Sequence, residues 1–522
     1  MDAHEQRIVR FLSRPQAYPH PVGAIVRRET HVSHVFLAGA YAYKLKKPVR
    51  FPFLDASSLS RRKRFCRLEL SLNRRLTRGV YLGLAPVVAT GAGLRLGGRG
   101  RVIEWVVKMR RLSEGRMLDR LVARKQVSRW DMARVVDRLM PFFRTAARNR
   151  AISRYGSPAS VAALVLGNLH ECQPFVGSLL ATRDRAFLEG AFRQFLALHE
   201  PLLARRVREG RIIDGHGDLR CENICLTNAV QIFDCVEFQP AFRCGDVVND
   251  LSFLVMDLEF RRRQDLAAAL LERYRSRARD PALDRLLPFY QCHRSLVRGK
   301  VRGLAWLQHP RSAEGRRARA LSRRHFQLAV RFARAFARPC LIVVGGLIGS
   351  GKSTLAGALA RALGAAWLRT DEIRLREFAA RRRPAQGFAQ GLYAPHVSEL
   401  VYQRLIRRAE ALVREGCSVI CDGTFSKAAG REALRAIARR HGAAFHFFEC
   451  LVPRAVALRR VARRYASRSD LSEARLGHYD RLRRAFEPVR GWPAPDWTRL
   501  SDNRPAEATY QAALEVLRRS LL

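Results

Sequence analysis

Two short stretches of this 522-residue chain place side chains at spacings suited to handling phosphate. The first is Gly346-Leu347-Ile348-Gly349-Ser350-Gly351-Lys352-Ser353-Thr354, which follows the spacing GxxxxGK[ST]. Gly346, Gly349 and Gly351 let backbone N–H groups, with those of Ser350 and Thr354, turn inward around phosphate oxygens at a helix N-terminus, where the helix dipole is also positive. Lys352 can reach the β- and γ-phosphates of a nucleotide, and the Ser353 hydroxyl can ligate Mg²⁺. The second stretch is His216-Gly217-Asp218-Leu219-Arg220-Cys221-Glu222-Asn223, followed by Asp234 in Gln231-Ile232-Phe233-Asp234. Phosphoryl transfer needs such a set: Asp218 to receive or orient an acceptor hydroxyl, and Asn223 with Asp234 to hold metal on the ATP phosphates.

More carboxylates follow the first motif. Asp371, in Arg369-Thr370-Asp371-Glu372-Ile373-Arg374, comes at the end of a predicted second strand, at the sheet edge where α/β ligands bind. It can accept a proton from a hydroxyl attacking the γ-phosphate, or it can simply cap the next helix. Asp422 ends the apolar run Val419-Ile420-Cys421 and is either a Mg²⁺-linked acid or a structural one. The run Leu458-Arg459-Arg460-Val461-Ala462-Arg463-Arg464 offers Arg460 and Arg464 as cations for a lid, with a solvated arginine face as the alternative.

The elements that must position these groups fall into two patterns. Arg316 to Ala337 reads as a basic amphipathic helix stopped by Arg338-Pro339, and the apolar run Cys340 to Gly345 then opens a strand–helix alternation suited to a parallel sheet. Strands are predicted at 341–344, 366–369, 418–421 and 444–450, with a helix from Gly351. Upstream, 31–45 reads as two strands joined at Ala38-Gly39-Ala40, 61–76 as a helix and 102–109 as a strand. A long helical region to about 203 follows, then short strands over 211–238, then helix again to about 337. The predicted organisation is an α+β domain over 1–338, with a small lobe to about 112 and a helical large lobe beyond. An α/β P-loop domain with a parallel sheet occupies 339–522.

The trio GSGKST, TDEIR and CDGTF resembles the small P-loop kinases that include polynucleotide 5′-kinase-like and gluconate-kinase-like enzymes, over roughly residues 340 to 520. The resemblance implies that Asp371 faces the acceptor hydroxyl. Ring-forming ATPases of the wider P-loop class are less similar, because the domain is short and has no evident sensor or arginine-finger segment.

The HGDLxxxN pattern with its downstream aspartate resembles the aminoglycoside phosphotransferases, whose fold is kinase-like, over roughly residues 25 to 310. That resemblance implies Lys44, in Tyr41-Ala42-Tyr43-Lys44, as the lysine on the α/β-phosphates and Glu69 as its ion-pair partner. Lys46 on the same strand face keeps the lysine role open between the two. The resemblance further implies a hinge at Glu104 to Arg110 and structural bracing by Asp246 and Asp250. The chain departs from protein kinases in having HGD for HRD, no DFG, and no GxGxxG, so that Thr30 to Val35 must serve over the phosphates. Together the halves resemble bacterial fusions of an aminoglycoside phosphotransferase-like domain with an AAA-family ATP-binding domain.

Composition narrows the classes. The formal charge is +50, yet only nine of the 96 basic residues are lysine, and the arginines are dispersed, with no basic tail. A nucleic-acid domain more often concentrates its charge on one element. Eleven cysteines occur without a CxxC framework, nothing resembles a signal peptide, and the longest apolar runs are too short to span a bilayer. The expectation is a reduced, cytoplasmic enzyme with no membrane contact and no obligate protein partner. It would use ATP and Mg²⁺ at two sites to phosphorylate a hydroxyl of an unidentified small molecule or nucleic acid, the small molecule being favoured. A P-loop kinase carrying a degenerate kinase-like sensor, and a nucleic-acid 5′-hydroxyl kinase, are the alternatives.

Overall fold

The computed structural model describes residues 3–51, 54–91, 93–378, 393–467, 479–501 and 504–521. It divides into two packed units, Met1–Leu164 with Leu203–Ser295, and Val165–Leu202 with Leu296–Leu522. This division differs from the joint near residue 338 marked by the strand–helix pattern. The helix Thr182–Leu198 buries Leu198 in one apolar cluster with Ile342 and Leu359, and Gln194 donates to the Arg338 carbonyl at 2.8 Å. An amphipathic helix belongs where its apolar face is covered, and that partner is not written in the helix itself.

In the first unit six antiparallel strands run in the order Ile25–Glu29, Ser33–Ala38, Tyr41–Lys46, Arg101–Arg110, Tyr81–Thr90 and Gly93–Leu96. Successive side chains of a strand face opposite ways. Tyr43 and Leu45 therefore join Phe36 and Val106 in a cluster covered by Ile8, Val9 and Leu12 of the helix Ala3–Leu12. Lys44 and Lys46 face the other way, toward Glu69 on the helix Leu59–Arg74. Ser58 caps that helix by accepting the Arg61 N–H at 3.3 Å. Beyond the sheet the unit is mainly helical, with a short antiparallel hairpin, Ile224–Leu226 with Val230–Ile232, set between Asn223 and Asp234.

In the second unit five parallel strands run in the order Ala366–Arg369, Val419–Asp422, Cys340–Gly346, Ala444–Leu451 and Trp497–Ser501. The strand Cys340–Gly346 is central and buried on both faces, which explains its unbroken apolar sequence. Leu341 and Val343 enter the cluster under the helices Pro395–Arg414 and Ala428–Arg440. Cys340, Ile342 and Val344 enter the opposite cluster, under Lys352–Leu363 and Ala506–Leu521. Each such fully buried aliphatic side chain contributes about 1.5–3 kcal/mol. Both neighbours of the central strand are later in sequence, so the chain reverses its winding direction there, the point beyond the carboxyl ends of the strands where open α/β sheets bind ligands. Among the described residues no helix is long and apolar enough to cross a membrane.

Candidate functional site

The first motif leaves the central strand as a tight loop whose turn is closed by the Ser350 N–H on the Leu347 carbonyl at 3.2 Å. Leu347 and Ile348 are held from below by Ala457 and Val461 of the helix Arg454–Ser467. Gly346 has φ +142°, and a Cβ there would lie 2.4 Å from the Cys450 carbonyl oxygen and 2.8 Å from Ser350 Oγ. Gly346→Ala is therefore expected to destabilise the unit by roughly 1–3 kcal/mol, read as a lowered denaturant midpoint, and to weaken nucleotide binding in a titration. The Ser350 hydroxyl is buried and has no hydrogen-bond partner among the described residues. An unanswered buried hydroxyl in a glycine-rich turn at a helix N-terminus suits phosphate oxygens.

Around that loop the structure gathers the predicted carboxylates. Ser353, in the first turn of Lys352–Leu363, donates its Oγ proton to Asp422 Oδ1 at 3.2 Å. Asp422 is buried at the end of its strand, with Arg369 Nε 3.5 Å from its other oxygen. Burial pushes the Asp422 carboxyl above the usual range, while Lys352, Ser353 and Arg369 pull it back and Asp371 adds to the rise. Asp371 sits half-buried in the first turn of the helix Thr370–Phe378, directly after the strand Ala366–Arg369. Lys352, Ser353, Asp371 and Asp422 thus lie together at the strand ends, and the pairing of Ser353 with Asp422 is a donor set suited to Mg²⁺.

Arg460 places Nη1 3.5 Å from the Gly349 carbonyl, beside the loop. Arg464 belongs to the same helix, and its side chain lies outside the described residues. Two participants escaped the sequence. Tyr402 accepts the Phe425 N–H at 2.9 Å, and burial above all pushes its hydroxyl pKa up to about 12, with Asp371 and Asp422 adding to the rise. Phe425 holds the left-handed φ of +48° that a non-glycine residue adopts only at a cost. Only tertiary packing shows either one.

In the first unit Lys44 Nζ donates to Glu69 Oε1 at 2.8 Å and to Asp234 Oδ1 at 2.6 Å. Lys46 lies deeper and bonds Glu69 and Glu237. Of the two lysines on this face, Lys44 is the one that meets Asp234. Asp234 has φ +64°, a left-handed conformation that aspartate tolerates better than most residues. Asn223 Nδ2 donates to Asp218 Oδ2 and to the Asp218 carbonyl, both at 2.9 Å. The Asn223 carbonyl accepts the Phe233 N–H at 3.0 Å, which ties the Asp218 segment to the Asp234 segment.

His216 makes the same tie from the other side. Its Nδ1 accepts the Asp218 N–H at 3.2 Å, so the ring proton belongs on Nε2, which donates to the Phe233 carbonyl at 3.0 Å. Burial lowers its pKa below the ordinary histidine value, as a neutral ring requires. Asp250 accepts the backbone N–H groups of His216 and Gly217, which is the bracing expected of it, and Asp246 takes both arms of Arg206 at 2.7 and 2.8 Å. Arg220 was not singled out from the sequence. It grips both oxygens of Asp218 at 2.7 and 2.9 Å, and only its place two residues downstream hinted at this.

Two expectations change. Glu104 to Arg110 is not a connection; it lies within the strand Arg101–Arg110, with no breaker residue to end it, and Glu104 is buried against Arg62 at 2.7 Å. The loop near Thr30 is closed on itself. The Thr30 N–H bonds the Ser33 carbonyl at 2.8 Å and the Ser33 N–H bonds Thr30 Oγ1 at 3.0 Å, so neither backbone donor is offered outward.

Charge in this cluster also sets a pH dependence. Burial would raise the Glu69 carboxyl, but the ammonium groups of Lys44 and Lys46 hold it well below the usual carboxylate range. A depressed carboxylate contributes stability that is fully present above its unfolded value of about 4.3 and is lost as pH falls below that. The stability difference between the wild-type chain and Glu69→Gln, measured by denaturant unfolding, is expected to be constant from pH 6 upward and to shrink below pH 4.

Known proteins show the following likenesses. A family model described as an AAA domain matches residues 341–489. The uncharacterized protein Rv2004c of Mycobacterium tuberculosis is 34% identical over 453 residues, covering 85% of this chain and 87% of that protein. Among solved structures, a choline/ethanolamine kinase family protein from Mesorhizobium loti aligns with 63% of this chain and all of its own length, at 15% identity and TM-score 0.37. The Mycobacterium tuberculosis APS kinase CysC, solved with AMPPNP and APS, aligns with 35% of this chain and 98% of its own, at 21% identity and TM-score 0.27.

Proposed function

For a chain that belongs to the family of the mycobacterial protein Rv2004c, we propose ATP-dependent phosphoryl transfer to a hydroxyl acceptor, with a nucleotide site in each unit. The observation that carries this is the convergence of Lys352, Ser353 and Asp422 at the glycine-rich loop. Lys352 and the loop N–H groups would bind the β- and γ-phosphates, with Ser350, Gly351 and Thr354 completing the cradle and Arg460 and Arg464 closing over it. Asp371 would take the proton from the attacking hydroxyl. Ser353 and Asp422 would hold Mg²⁺, which supplies charge neutralisation on the transferring group.

In the first unit Lys44, kept in place by Glu69, would grip the α/β-phosphates, Asn223 and Asp234 would hold the metal, and Asp218 would orient the acceptor. Catalysis at both sites is positioning plus fixed charge. The enzyme would work in the cytoplasm on a small molecule. The test is an acceptor screen with labelled ATP on the intact chain, run beside Asp218→Ala and Lys352→Ala. If neither variant changes ATP consumption with any acceptor, the proposal fails. A 5′-hydroxyl oligonucleotide at low salt belongs in the screen, because label on it would move the acceptor class to nucleic acid.

Two observations favour a second reading, in which the first unit senses a nucleotide without turnover. The Thr30–Ser33 loop offers its donors inward, and Arg220 occupies both oxygens of Asp218. Nucleotide binding in a Lys352→Ala chain that has lost all turnover would favour the sensor.

A further inference from the structure

Two lysines, rather than one, are buried against Glu69. Asp234, Lys44, Glu69, Lys46 and Glu237 form an unbroken run of contacts that alternates in sign. Its ends, Asp234 and Glu237, lie three residues apart on one segment, and its lysines lie two apart on one strand. The run therefore closes into a ring that joins three pieces of chain: the strand Tyr41–Lys46, the helix Leu59–Arg74 and the segment after the hairpin. Side-chain exposure falls from 45% at Asp234 and 12% at Lys44 to 4% at Lys46 and 0% at Glu69. Lys44 and Asp234 are the open side of the ring, and Lys46 and Glu237 are its buried side.

A buried ion pair is a poor source of stability, because desolvation offsets most of its attraction and apolar residues of similar size serve as well or better. What such a pair does supply here is direction. Glu69 gives Oε1 to Lys44 and Oε2 to Lys46, so Lys46 fixes the rotation of the carboxylate that aims Lys44. Glu237 fixes Lys46 and, through its own segment, the backbone that carries Asp234. With Thr30 and Ser33 bonded to each other, the grip on phosphate depends on how well Lys44 is aimed.

We propose that Lys46 and Glu237 are positioning residues for nucleotide at the first unit's site, acting through Glu69 on Lys44 and through the shared segment on Asp234. This rests on the proposed nucleotide site there. The test uses the intact chain with Lys352→Ala, so that the second site is silent, and measures Mg-ATP affinity by titration together with the melting temperature. The double variant Lys46→Met/Glu237→Leu removes both charges at once. Its melting temperature is expected to equal or exceed the parent's, while its Kd for Mg-ATP rises by roughly 10–100-fold, the usual effect of losing groups that orient a binding shell. Glu237→Gln, which keeps an acceptor for Lys46, is expected to fall between. A double variant that binds Mg-ATP as the parent does, where Lys44→Met does not, overturns the positioning role. Parental binding by Lys44→Met itself would instead remove the nucleotide site. If the double variant does not fold, Glu237→Gln decides, and a Kd within about twofold of the parent counts against the inference.

Discussion

Lys352→Ala is expected to lower nucleotide stoichiometry from two per chain to one, and to cut the turnover carried by the second unit by roughly 10²–10³-fold, the usual loss when one preorganised charge-stabilising group is removed. The loop keeps its shape in this variant, because Leu347 and Ile348 remain packed on Ala457 and Val461 and the turn is closed through the backbone of Ser350 and Leu347. The melting temperature should therefore stay near that of the wild type. Asp422 should respond: Lys352 is the strongest of the influences opposing its burial, so its carboxyl should move further upward. Isothermal titration and labelled-ATP turnover read these effects, and an unchanged stoichiometry would count against the second unit as a nucleotide site.

Asp218→Asn should separate binding from transfer in the first unit. Asp218 lies on the acceptor side of the proposed chemistry, while Lys44 and Asp234 meet the nucleotide, so ATP affinity should hold and transfer should fall by roughly 10²–10⁴-fold. Asn223 keeps its bond to the Asp218 backbone carbonyl, and Arg220 keeps Glu222, so the local fold has supports that do not depend on the carboxylate. Initial rates with whichever acceptor the wild type labels, taken across ATP concentration, give the split. A wild-type transfer rate from the asparagine variant would leave the sensor reading in possession of this unit.

The parts of both sites that lie close together in sequence were legible there. The GxxxxGKS loop, the Asp218–Asn223 spacing and Asp422 at a strand end are local patterns, and the structure brings Lys352, Ser353, Asp371 and Asp422 to one sheet edge. Lys44 and Glu69 came from a resemblance, and their 2.8 Å contact agrees with it. What stayed hidden was long-range. Glu237 is recognisable only once Lys46, some 190 residues away, is seen to need a partner, and Tyr402 only once Phe425 is seen above it. The strands Tyr81–Thr90 and Gly93–Leu96 carry glycines and a proline and break the alternation expected of a half-buried strand. The fifth parallel strand, Trp497–Ser501, exposes polar residues at an edge and reads as a loop. The stretch Glu104 to Arg110, expected as a hinge, lies within the strand that its own residues also predict.

The order in which the two units claim the chain bears on its synthesis. Residues 1–164, 165–202, 203–295 and 296–522 alternate between them. Leu198 leaves the ribosome about 140 residues before Cys340, the strand residue with which it shares a core. At roughly 5–20 residues per second the helix Thr182–Leu198 must wait about 7–30 s with its apolar face uncovered. That interval is a window for chaperone capture or aggregation, and slowing translation just after residue 202 should lengthen it and lower the soluble yield.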